Sequence, residues 1–149
     1  MTRWFVAAAL IVTFVPTPNG VANAQELTIQ GAWSAQIYRL AGGQAHPVRG
    51  RIFFASAEWQ VLFFVMDDDE PKRGSGEGGT YSLTGDQLTL KHHYLLAVGD
   101  QMPGLPAAPL RMEARDRTGP SEGTRIELAE ELLILHFPSG NSMEFTRSR

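Results

Sequence analysis

Gly79-Thr80-Tyr81-Ser82-Leu83-Thr84-Gly85-Asp86-Gln87-Leu88-Thr89-Leu90-Lys91-His92-His93-Tyr94-Leu95-Leu96 is two alternating segments around a tight Thr-Gly-Asp turn. Tyr81 and Leu83 share one parity before the turn, and Leu88, Leu90, His92, Tyr94 and Leu96 share one after it. Side chains of a strand point alternately to its two faces, so this spacing gathers the apolar groups on one face. Gly85 supplies the positive φ that a short turn favours, and Asp86 tolerates it. The stretch predicts a β-hairpin with Tyr81, Leu88, Leu90, His92 and Tyr94 facing inward.

Downstream, residues 97–109 carry Gly99, Pro103, Gly104 and Pro106 and predict a loop long enough to carry function. Leu110, Met112 and Ala114 then alternate with Arg111, Glu113 and Arg115, as a one-faced strand does. A polar turn over 116–123 leads to Thr124, Ile126 and Leu128 at the same period. Residues 132–137 are apolar on both parities, and Pro138-Ser139-Gly140-Asn141 turns the chain into a last strand with Met143, Phe145 and Arg147 on one face. Residues 125–135 also admit a helical reading.

Upstream, residues 67–78 are acidic and then glycine-rich, and predict a solvated connection. The run 59–66 is apolar on both faces, so its inward face is not assignable from sequence. Ile52 and Phe54 share a face in a strand over 48–55, a loop covers 41–47, and a first strand begins at Gly31-Ala32-Trp33. Connected by short turns, neighbours in sequence pair antiparallel, and closing the sheet on itself removes its edges. The expected fold is all-β, an antiparallel up-and-down barrel of 8–9 strands.

Residues 1–24 stand apart. Met1-Thr2-Arg3 is a short positive start, Trp4 to Val15 is an uncharged apolar run, and Ala22-Asn23-Ala24 matches a signal-peptidase site. This predicts a signal peptide cleaved after Ala24, with residues 25–149 as one secreted or periplasmic domain. The run is shorter than the roughly 20 residues that span a bilayer, so no membrane span is expected after its removal. The remaining domain keeps 12 basic and 16 acidic residues, a formal charge of −4, with no basic stripe for nucleic acid. No cysteine is present, so neither a disulfide nor a lipidated cysteine contributes.

Three features together resemble the lipocalin-like, or calycin, group: Gly31-Ala32-Trp33 opening the first strand, the spacing Gly79-x-Tyr81-x-Leu83-x-Gly85-Asp86-x-Leu88-x-Leu90, and Arg147 near the end of the last strand. The resemblance is to secreted bacterial relatives of that group. It implies that Arg147 packs across Trp33 and shuts the barrel floor, a cation–π contact of roughly 0.5–2 kcal/mol.

Specific chemistry is sparse. On a regular strand His92 and His93 face opposite ways, and with His46 and His136 they give no zinc-ligand spacing. Residues 67–70 lack the pattern of a calcium loop, and the glycines at 74–79 lack the lysine of a phosphate loop. No cofactor, metal ligand or catalytic residue is assigned. The expected function is binding of a small hydrophobic molecule in the barrel interior, with Phe54, Tyr81, Leu90, His92, Tyr94, Met112 and Phe145 as candidate lining. The alternative is a filled-core barrel that acts through its outside as an envelope interaction or inhibitor module. Met102 and Leu105 are its candidate surface for a protein partner.

Overall fold

The computed structural model describes residues 28–115 and 118–149. The expected signal segment lies outside the described residues. Nine strands follow in order: β1 (Gly31–Arg39), β2 (Ala45–Ala55), β3 (Glu58–Asp67), β4 (Glu70–Thr84), β5 (Gln87–Gly99), β6 (Ala108–Ala114), β7 (Ser121–Leu128), β8 (Leu132–His136) and β9 (Ser142–Arg147). All pair antiparallel, β1 with β9 and β4 with β5 completing the ring. The result is a closed eight-stranded barrel with one extra strand.

The extra strand arises from an interruption. β7 lies beside Gln87–Lys91 of β5, and β6 lies beside Tyr94–Gly99 on the same edge. Both run antiparallel to β5, so β6 and β7 are two halves of one strand position. At the break the His92 N–H donates to the Pro120 carbonyl (3.1 Å) and the Arg115 N–H donates to the His93 carbonyl (2.6 Å). β7 goes on to pair with β8, whereas β6 has β5 as its only neighbour among the described residues.

Residues 67–78 are not a loop. The turn is Asp68-Asp69 alone, with Asp68 at φ 50°, and the chain from Glu70 pairs with β3 and, from Arg73, with β5. The glycine-rich composition reflects which face each residue occupies. Gly74, Gly76 and Gly78 take the outward positions of β4, opposite Phe64, Leu62 and Gln60. Ser75 and Glu77 take the inward ones, opposite Phe63 and Val61. Phe64 and Leu62 lean over Gly74 and Gly76, filling the space where side chains would stand. The same register assigns β3: Trp59, Val61 and Val65 are buried, while Leu62 (50% exposed) and Phe64 (41%) face out. Residues 125–135 are two strands and a turn.

The hairpin forms around Gly85 (φ 61°) with Thr84 opposite Gln87. Leu88 and Leu90 are buried as the alternation predicts, but Tyr94 is 43% exposed and Leu96 also faces out. The cause is a bulge. Gly79 pairs with His92 and Gly78 with Tyr94, leaving His93 as an extra residue that reverses the parity beyond it. Gly79 is required there, because a Cβ would run into the Lys91 carbonyl oxygen.

The core divides along the barrel axis. At one end Trp33, Phe54, Leu88, Thr124 and Leu133 are fully or almost fully buried, and Phe54 meets Tyr81 edge-on at 5.1 Å. The Arg147 guanidinium lies 4.1 Å over the Trp33 ring and donates to the carbonyls of Thr28, Gln30 and Glu130. The Trp33 indole N–H donates to the Ile29 carbonyl (2.8 Å). This end is the floor. The other end, the mouth, carries the β1–β2, β3–β4, β5–β6 and β8–β9 connections.

Candidate functional site

Above the packed floor the interior opens into a cavity of about 330 Å³. Its apolar wall comes from Ile52 on β2, Trp59, Val61, Phe63 and Val65 on β3, Leu90 on β5, Leu135 on β8, and Met143 and Phe145 on β9. These positions are inward because strand alternation places every second residue there. The polar groups come chiefly from β4, whose inward residues Arg73, Ser75 and Glu77 all line the cavity.

Glu77 and His92 form the one acid–imidazole pair in that lining. Nδ1 of His92 lies 2.9 Å from Oε2 of Glu77, and the Ser75 hydroxyl donates to Oε1 at 2.9 Å. The imidazole also meets the Trp59 ring edge-on at 5.1 Å, and the Trp59 indole donates to the Lys91 carbonyl. Burial pushes the Glu77 carboxyl up. The hydrogen bonds from His92 and Ser75, with the charges of His92 and Arg115, outweigh it and hold Glu77 below the usual carboxylate range. The carboxylate is therefore ionised at neutral pH and accepts a hydrogen bond from Nδ1–H. His92 and Glu77 both border the cavity, so the hydrogen-bonded pair is set in its wall.

No protein-family model matches this chain, and neither does any curated protein.

The mouth is bridged by the β5–β6 connection, residues 100–107. Met102 and Leu105 exchange two backbone hydrogen bonds in a tight turn. Met102 is only 8% exposed and belongs to the core, and half-buried Leu105 lines the cavity. The turn reaches across to the β1–β2 connection, where Gly104 abuts Leu40 and Gln44. The Pro103 carbonyl accepts from His46 Nε2 at 2.9 Å. Arg73 ties the strap down by donating to the carbonyls of Asp100 (2.6 Å) and Pro106 (2.7 Å). Met102 and Leu105 thus form the underside of a strap and are not an exposed surface for a partner.

Of the expected lining residues, Leu90, His92 and Phe145 border the cavity. Phe54 and Tyr81 do not; they pack below it in the floor. Tyr94 is displaced by the bulge to an outer groove with Phe53, Glu58 and His93, where the His93 Nε2 is buried without a partner among the described residues. Met112 is 71% exposed on the outer face of β6, because it pairs with outward Leu96 beyond the bulge. Sequence reasoning missed Glu77, Ser75 and Trp59. The strict alternation Gly74-Ser75-Gly76-Glu77-Gly78 was the available signal for the first two.

Proposed function

We propose that this chain is a lipocalin-like barrel, secreted or periplasmic, that holds one small hydrophobic molecule in its mouth half. The observation that carries the reading is the cavity: about 330 Å³, with a largely apolar wall and a few polar groups, among them Arg73, Ser75, Glu122 and the Glu77–His92 pair. Ligand sites commonly have this form, from ~300 Å³ upward, with few polar groups fixing orientation. The ionised Glu77 carboxylate in that wall favours a ligand that ends in a hydroxyl or amide donor over one that ends in a carboxylate. Trp33 under Arg147 and the order of the strands support the lipocalin-like assignment.

Native mass spectrometry of the chain purified from the compartment it occupies tests the reading, together with titration by a long-chain alcohol and the carboxylate of equal length. A retained small molecule, or uptake of the alcohol in preference to the carboxylate, is the expected outcome. Leu135→Trp should fill the cavity and abolish uptake while the far-ultraviolet spectrum is kept. A bare mass together with no uptake of either probe overturns the reading. A second reading, a module acting through its outside, is favoured by one observation: Leu62, Phe64, Leu96 and Met112 stand exposed on the outer face of the sheet.

A further inference from the structure

The geometry points to β6 as a self-complementary edge through which two copies of this chain pair antiparallel, extending the sheet from one barrel into the other. β6 is the one strand with a single neighbour among the described residues, and it is exposed along most of its length. The Arg115 N–H is spent on β5, so by alternation the odd residues of β6 point their backbone groups inward to β5. Met112 and Ala114 then present theirs to the free edge. An unpaired row of N–H and C=O groups is a template for another strand.

The occupant follows from the side chains. Pairing two β6 strands antiparallel about Met112 sets Met112 against Met112, Leu110 against Ala114, and Arg111 against Glu113 in both directions. Opposite charges therefore face each other twice. The Arg111 and Glu113 pairs fall at the non-hydrogen-bonded positions, where facing side chains come closest. An edge guarded against association carries charges that repel when it meets its own copy. β6 and the residue after it carry Arg111, Glu113 and Arg115 in alternating sign, already linked as ion pairs within the chain. On the outer face Leu110 and Met112 are among the most exposed apolar side chains of the molecule, and Leu96 adjoins Met112 on β5. A second copy would continue that apolar row with the same residues.

Sedimentation equilibrium over a concentration series, on the purified chain and two variants, tests the pairing. Arg111→Glu sets two carboxylates against each other at both facing positions, and Glu113→Arg sets two guanidinium groups there. Each variant should dissociate at least about tenfold more readily than the parent, since like charges directly opposite are destabilising. Mixed together, the two variants restore unlike charges at both facing positions and should form a one-to-one heterodimer. A merely intrachain role for the Arg111–Glu113 pair gives no such rescue, because mixing leaves each chain unchanged. Thermal unfolding of each variant alone establishes that the barrel persists. A parent that stays monomeric across the series overturns the inference. So does a dimer indifferent to both substitutions, or association with lipid vesicles alone.

Discussion

The floor and the mouth of this barrel are closed by different means. The floor is closed by side chains: Trp33 is 0% exposed, Arg147 lies across it, and three backbone carbonyls hold the guanidinium in place. The mouth is closed by backbone, a strap over residues 100–107 held by Arg73, His46 and the turn at Met102. Close packing transmits any loss of volume directly into stability. A strap fixed by a few polar contacts can open locally at a small fraction of the global unfolding free energy. The contrast separates a densely packed end from an end held by a few polar contacts.

Substitutions can break or sharpen that contrast. Trp33→Ala removes the centre of the floor, its hydrogen bond to Ile29 and the surface under Arg147, and should cost about 3–5 kcal/mol in denaturant unfolding. Arg147→Met keeps much of the apolar stem and loses the charge, and a cost of about 2 kcal/mol is expected by the same measurement. Arg73→Ala acts at the other end. It should cost about 1 kcal/mol or less globally, while amide hydrogen exchange over residues 100–107 and the on-rate of an apolar probe both rise. If Arg73→Ala destabilises as much as Trp33→Ala, the two ends do not differ in kind.

The smallest effect concerns pH. Glu77 is held below its ordinary value, so the unfolded chain binds its proton more readily than the folded one. The stabilisation is then fully present above the unfolded carboxylate range and is lost as pH falls through the folded value. Unfolding free energy measured from neutral to acid pH should fall less for Glu77→Gln than for the parent. An identical slope in the two would mean that the pair with His92 contributes no pH-dependent stability.

Much of the fold was legible because barrel strands alternate. Leu88 and Leu90, Ile52 and Phe54, and Met143 and Phe145 were placed by period two, and each is buried. Two things were not legible. The His93 bulge reverses parity from Tyr94 onward, and a pattern of period two contains nothing that marks an inserted residue. The glycines of β4 look like a loop because composition outweighs pattern when side chains are missing, yet alternation with Ser75 and Glu77 persists through them. The candidate site suffered accordingly. Its apolar wall was partly foreseen in Leu90 and Phe145, whereas its polar pair was found only in half, as His92 without Glu77.

The ring itself closes between the first and the last of the described strands. β1 pairs with β9, and the Ser34 and Ser148 hydroxyls meet at 2.8 Å across a separation of 114 residues. Contacts so distant in sequence form late and slowly, because a long loop must be ordered before they return anything. The floor therefore cannot assemble on a growing chain until its last strand has been synthesised.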